Sequence, residues 1–305
     1  GGFVNYGVFQ PASGFRITNT GPNANFGNVD VASLGQLRLT GNALDNRGTL
    51  NLNGGTLLGT GSLVNGAGGT PAGRGTVTTG FANAGGVVLV HNGTLNLLQG
   101  FTNSGVIQLE GVSASLTGGA TANSGSLQGR GNVGNAIANT GTIEALGGTL
   151  TLGGSVTNAA DGILAASSGN RLLVSNGLGQ NGGILDLGGG TFDNNGAALI
   201  NKAQISGYGT LRTGGLTNAG SMTLTGGLTT VNGDVVNQAG HLIEVAHDVA
   251  LFTGNVTNHG TFKTTATTVT FAGTVNGDEL KFTRELVVPK DADPGGNGIF
   301  GAGGP

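Results

Sequence analysis

The sequence contains no cysteine and no tryptophan, one methionine, two tyrosines and 6 prolines in 305 residues. Without cysteine there is no disulfide framework and no thiolate metal site. Without tryptophan, and with Tyr6 and Tyr208 as the sole tyrosines, a lectin-like groove built on stacking platforms is poorly supplied. Charge is equally scarce: Asp, Glu, Lys and Arg make up 9% of the chain, the 12 basic residues are scattered singly and the formal net charge is −3. The electrostatic footprint of a nucleic-acid binder is therefore missing. No apolar run approaches the roughly 18 residues that a membrane-spanning helix needs. The few prolines and the lack of a strict Gly-X-Y period exclude collagen.

What the chain has in excess is glycine, 65 residues, beside 37% hydrophobic residues set at alternating positions. That alternation argues for burial and against the disorder that glycine richness alone would allow. The low charge and the Thr, Asn, Gly and Ser surface fit an exported protein better than a cytosolic one. Gly1, with no methionine before it, reads as the start of a mature or trimmed chain whose signal peptide has gone.

One phrase organises the rest. Asn103-Ser104-Gly105-Val106-Ile107-Gln108-Leu109 is a turn followed by an alternating strand, and it recurs from Asn46, Asn83, Asn123, Asn139, Asn181, Asn218 and Asn258, more loosely from Asn158 and Asn237. From Asn83 to Asn181 the markers are 20, 20, 16, 19 and 23 residues apart, and from Asn218 to Asn258 they are 19 and 21 apart. A period of roughly 20 residues built of short strands and glycine turns predicts an all-β parallel β-helix, a β-solenoid. Further phrases, Gly54-Gly55-Thr56-Leu57 and Gly129-Arg130-Gly131-Asn132-Val133, add strands, so three strands per coil are expected, with Leu, Val and Ile inside and Thr, Asn, Gln and Ser outside. Corner residues must accept positive φ, which Gly and Asn do at least cost. Stacked about 4.8 Å apart, the corner amides of Asn46, Asn83, Asn103, Asn123, Asn139, Asn158, Asn218, Asn237 and Asn258 would form a hydrogen-bonded ladder. About 12 coils follow, and a rod of about 55 to 60 Å. The gap between Asn181 and Asn218 reads as a lengthened or reset coil.

Three segments are expected. Residues 1–30 hold Phe3, Tyr6, Phe9, Phe15 and Phe26 and read as an N-terminal cap or assembly segment, because the end of a solenoid exposes both core and strand edge. Residues 31–276 are the repeats. Residues 277–305 carry 8 of the 27 charged residues and read as a strand containing Leu280, Phe282, Leu286 and Val288, followed by a glycine-rich arm. The two ends, Phe3, Tyr6, Phe9 and Phe15 with Leu280, Phe282, Leu286 and Val288, form the expected assembly interface.

Little else points to chemistry. Gly129-Arg130-Gly131-Asn132-Val133-Gly134 and Gly177-Leu178-Gly179-Gln180-Asn181-Gly182 match the dinucleotide fingerprint, but no helix follows either to hold a phosphate. Asp186 with Asp193, and Glu244 with His247 and Asp248, are the carboxylate pairs that a polysaccharide-cleaving β-helix would need. Asp186 lies between Leu185 and Leu187, as an ordinary outward residue would, and His241, His247 and His259 lack the spacing of a zinc site. Gly188-Gly189-Gly190-Thr191-Phe192-Asp193 is one isolated approximation to a calcium-binding turn, and Asn92-Gly93-Thr94 and Asn255-Val256-Thr257 match the glycosylation acceptor but read as corners. The expectation is a protein without catalytic centre, metal or cofactor.

Residues 48–57, Val231-Asn232-Gly233-Asp234-Val235-Val236-Asn237 and residues 252–261 resemble the repeats of bacterial surface β-solenoids: autotransporter and haemagglutinin-like passengers, and exported proteins with a Pro-Glu-Pro sorting signal. The resemblance covers roughly residues 40–276. It implies a right-handed β-helix exported to the bacterial cell surface as a stalk, adhesin or matrix component. The expected function is an extracellular structural subunit that stacks head to tail on its own copies into a filament. A monomeric adhesin or stalk fragment is the alternative, and a β-helix that binds or cleaves cell-surface or extracellular polysaccharide is a more remote one.

Overall fold

The computed structural model describes residues 1–287 apart from Ala12, Thr267, Asp278, Glu279 and 283–285, with the backbone alone described for 280–282 and 286–287. All the described secondary structure is β-strand, wound as a parallel β-solenoid of about 14 turns. It divides into two compact units, which meet between Ser155 and Val156 in the sequence.

In the first unit one wall is made of the parallel strands Val4–Asn5, Asn23–Asn25, Leu44–Asn46, Ser62–Asn65, Gly80–Asn83, Phe101–Asn103, Thr121–Asn123 and Ile137–Asn139. Every one ends on asparagine. The rest of each coil supplies two further strand positions, separate at first (Asn28–Asp30 and Gln36–Leu39, for example) and then fused into one bent strand, as in Thr70–Val77 and Val87–Leu97. The bends fall where the register slips, between Gly73 and Gly75 and again between Gly129 and Gly131, so glycine pairs mark corners inside continuous strands. The second unit repeats the plan with Val156–Asn158, Gln180–Asn181, Ala198–Asn201, Gly215–Asn218, Val235–Asn237, Val256–Asn258 and Val275–Gly277.

Side chains alternate across each strand, and parallel pairing places like on like. Val88, Ile107, Leu127 and Ile143 align in consecutive coils, fully buried, and Leu164, Leu185, Ile205, Met222, Ile243 and Phe262 form the equivalent column of the second unit. One rung is polar. Thr121 lies between Phe101 and Ile137, buried, with its hydroxyl unbonded.

The asparagines form the expected ladder, but not on the expected side. Each lies inside the coil, buried except for the half-buried Asn5 of the first coil, and Nδ2 donates to the Oδ1 of the asparagine one coil on wherever there is one. In the first unit the ladder runs Asn5, Asn25, Asn46, Asn65, Asn83, Asn103, Asn123, Asn139, with donor–acceptor distances of 2.6 to 2.9 Å. In the second it runs Asn158, Asn181, Asn201, Asn218, Asn237, Asn258, at 2.7 to 3.0 Å. The other N–H goes to a backbone carbonyl, such as Thr49 O for Asn25 and Ser126 O for Asn103. A buried amide must find partners for all its polar atoms, and the inward position supplies them where solvent would have competed.

Nor are these asparagines left-handed. The non-glycine residues at positive φ are Leu34, Asn53, Asn92, Asn195 and His247, none of them in the ladder. The glycine two residues on has a different purpose from the one expected. A Cβ at Gly125 would overlap the carbonyl oxygen of Gly105 one coil away, and one at Gly141 that of Gly125. Asn-x-Gly thus pairs an inward amide with a stacked backbone that tolerates no side chain.

The coil count exceeds the expected 12 for two reasons. Residues 1–30 are already in solenoid register, Val4 against Ala24 and Val8 against Asn28. The chain from Asn181 to Asn218 holds an ordinary coil with Asn201 at its ladder position, not a lengthened one. Beyond the repeats, Leu280–Phe282 and Leu286–Val287 pair in parallel with Thr261–Thr264 and Thr268–Phe271, while 288–305 lie outside the described residues.

Replacing Asn103 by alanine leaves one N–H of Asn83 Nδ2, whose other N–H keeps Val106 O, and Asn123 Oδ1 buried without a partner, so a loss of about 2–4 kcal/mol is expected in chemical unfolding. Thr121→Val should act oppositely, raising stability by about 1 kcal/mol, since it replaces an unbonded buried hydroxyl by a methyl of the same shape.

Candidate functional site

One region is set apart by its pairing and its aromatic side chains. Val4–Asn5, Val8–Phe9 and Phe15–Ile17 pair with the coil that follows, and among the described residues nothing pairs with their other edge. Inward positions that hold Leu or Val in later coils hold rings here: Phe9 stands over Val29 and Phe15 over Leu37. Phe3, Phe9 and Phe15 touch in sequence, with centroids 5.2 and 4.9 Å apart, and Tyr6 stacks on Phe26 at 5.2 Å. The rings partly close the core, yet Phe15 stays 38% exposed, and Val4, Tyr6 and Val8 are 49, 78 and 71% exposed. By contrast the trio Phe252, Phe262 and Phe271, equally close, is buried.

The ladder ends here as well. Asn5 donates onward to Asn25, and its Oδ1, which in every other coil of this unit takes the amide of the coil before, takes the backbone N–H of Gly7 at 3.2 Å. At the other limit Gly277 occupies the position in register with Asn258, so no side chain continues the ladder. The structure therefore brings Phe3, Phe9 and Phe15 together, while Tyr6, in the same coil, stacks on Phe26. The side chains of Leu280, Phe282 and Leu286, and all of Val288, lie outside the described residues.

Each carboxylate of the expected pairs has a structural partner. Asp186 Oδ1 accepts the N–H of Gly188, a local turn bond. Asp193 is not an outward residue: it is buried, and Arg171 donates to its Oδ2 from Nη2 at 2.5 Å and Nε at 3.1 Å while Arg212 Nη1 reaches the same oxygen at 3.2 Å. The carboxylate is thus clamped between residues of the coils before and after, which accounts for its place at the end of the glycine phrase without calcium. Sequence reasoning missed this rung, whose one signal is a spacing of 22 and 19 residues, a coil in each direction. Glu244 pairs with Lys263 at 2.7 Å, and Asp248 accepts from the N–H of Gly226. Among the described residues no group of three His, Asp or Glu side chains is placed to hold a metal ion.

Tyr208, the other tyrosine, is not free as a platform. A Cβ added at Gly189, in the preceding coil, or at Gly226 or Gly227, in the following one, would lie 2.8, 3.0 or 2.6 Å from the nearest atom of its side chain. The ring is packed between backbones. Gly129 and Gly131, with φ of 114° and 138°, flank a corner inside a strand and open no helix. Asn255 Oδ1 accepts from both Thr274 N and Thr274 Oγ1, which makes it a corner brace.

No protein-family model, no curated protein and no solved structure matches this chain.

The clamp at Asp193 has an asymmetry that stability measurements can read. The arginine side chains are 41 and 60% exposed and can turn to water, whereas the carboxylate, at 1%, cannot. The double variant Arg171→Met/Arg212→Met, which strands a buried charge, is expected to cost roughly 3 kcal/mol, and Asp193→Asn distinctly less.

Proposed function

We propose that the chain is a structural protein, an exported β-solenoid subunit that stacks head to tail on its own copies through the open edge of its first coil. The observation that carries the reading is that edge: three strands that pair on one side alone among the described residues, bordered by exposed Val4, Tyr6 and Val8. An uncovered parallel edge offers a row of N–H and C=O groups to any matching coil. The last described coil, Val275–Gly277, Leu280–Phe282 and Leu286–Val287, has the same three-strand spacing and pairs with one neighbour. A contact between unlike ends repeats without closing, which gives a filament. Gly277 at the ladder position means that the contact would rest on backbone pairing and apolar side chains, not on a further asparagine amide. The low charge and the resemblance of the repeats to those of bacterial surface solenoids support an extracellular setting.

A second reading is favoured by Asn5. Its Oδ1 is satisfied by Gly7 within its own coil, as in a cap, and the rings of Phe3, Phe9 and Phe15 screen part of the core. A monomeric adhesin or stalk would use the first coil in that way.

Val8 separates the two. Asn28 donates to Gly7 O, so by the alternation of a parallel ladder the N–H of Val8 faces the open edge. Val8→Pro removes that donor without touching the bonds to the next coil. Filaments in negative-stain electron microscopy of the intact protein, replaced by single particles in Val8→Pro and retained in Val8→Thr, are the expected result. Single particles from the unaltered protein would overturn head-to-tail stacking and leave the cap.

A further inference from the structure

In the first unit three successive coils turn at the same outer corner, and each turns with a left-handed residue: Asn53 at φ 39°, Gly73 at 94° and Asn92 at 55°. Asn53, Gly73, Arg74, His91 and Asn92 line a niche of ≈ 380 Å³ at this corner. Gly73 leaves the space open. A Cβ there would stand 3.8 Å from the Asn53 nitrogen and 3.9 Å from His91 Cε1, that is, between the two walls.

The polar lining is unpaired among the described residues. His91 Nδ1 is buried and has no hydrogen-bond partner. The side chains of Arg74, Asn53 and Asn92 make no hydrogen bond or ion pair among the described residues, whereas the ladder asparagines are bonded. Glu110 stands in register with His91 one coil on, but its Oε1 accepts from Gln108 Nε2 and it forms no ion pair with either base. A guanidinium and two amides, all three on exposed residues, thus line one niche with a buried imidazole nitrogen, and none of them has an acceptor among the described residues. Buried polar groups are costly when left unpaired, and a guanidinium with a free fork fits two oxygens of one group.

We propose that this niche binds the oxyanion, carboxylate or sulfate, of an acidic sugar. Arg74 supplies the charge and the paired donors, His91 Nδ1 takes one oxygen, and the Asn53 and Asn92 amides bond the neighbouring hydroxyls. The site needs no aromatic platform, which the chain does not provide. It is also independent of stacking at the first coil, so the Val8→Pro variant should bind as the unaltered protein does.

Titration of the full chain with glucuronate, glucose 6-sulfate, glucose and inorganic sulfate tests it, read by calorimetry and by the imidazole signals of His91 in NMR. Saturable binding of glucuronate or glucose 6-sulfate is expected, the two telling carboxylate from sulfate, with glucose silent. Arg74→Gln, at an exposed position, and His91→Phe should each weaken that binding roughly tenfold or more, the scale of one charge-assisted hydrogen bond. Absence of binding by both acidic sugars, equal binding by glucose, or undiminished binding in Arg74→Gln would overturn the proposal. Inorganic sulfate binding as tightly as the sugars would overturn the assignment to a sugar.

Discussion

The structure depends on the requirement that a buried carboxamide be bonded at every polar atom. An asparagine placed inside a coil has two N–H groups and a carbonyl to satisfy. One N–H goes to the backbone of a neighbouring turn, and the remaining donor and the acceptor are met by an identical side chain above and another below. The arrangement works for a coil whose neighbours carry asparagine at the same position, so the amide acts as a register mark. A slip of one residue would turn every amide outward and every alternate Leu and Val with it.

Stacked glycines follow from the same constraint. Bringing amide to amide at hydrogen-bond distance, coil after coil, brings the turn that follows against the turn below, and at Gly125 and Gly141 there is no room for a Cβ. Coils vary in length from 16 to 23 residues between ladder positions without loss of register, because the extra residues are taken up at the other corners. Those corners are where the left-handed residues, the strand bends and the unpaired polar groups of the Arg74 and His91 niche occur. The wall with the amides is the conserved geometry of the coil, and the opposite corners are free to differ.

Ends pose the converse problem. A coil with neighbours on both sides has its amide, its edges and its core covered, and the first coil has them covered on one side. Rings in place of Leu and Val, and a Gly7 N–H in place of a missing amide, are local answers that leave the strand edge itself open. Cap and contact are therefore built from the same residues, and what distinguishes them is whether another coil arrives.

Much of this was legible in the chain itself. A marker recurring at about 20 residues determines a stack of short coils, and strands of period two between the markers, with no helical pattern, make them β-coils. Asn103, Asn123 and Asn139 could be placed in one column from spacing alone. Asn5, Asn25 and Asn181 share the Asn-x-Gly signal and were within reach of the same reasoning. Asn65, followed by a longer glycine turn, and Asn201, followed by Lys202 and Ala203, were not. What the tertiary structure decided was the side on which each polar residue lies. Asn103 reads as an outward residue because its type is polar, and Asp193 as one of a carboxylate pair; both are buried, since partners one coil away in space are some 20 residues away in sequence. Local pattern sets the period of the coil. Only the stacking of one coil on the next determines which polar atoms find a partner there, and which, like His91 Nδ1, are left without one.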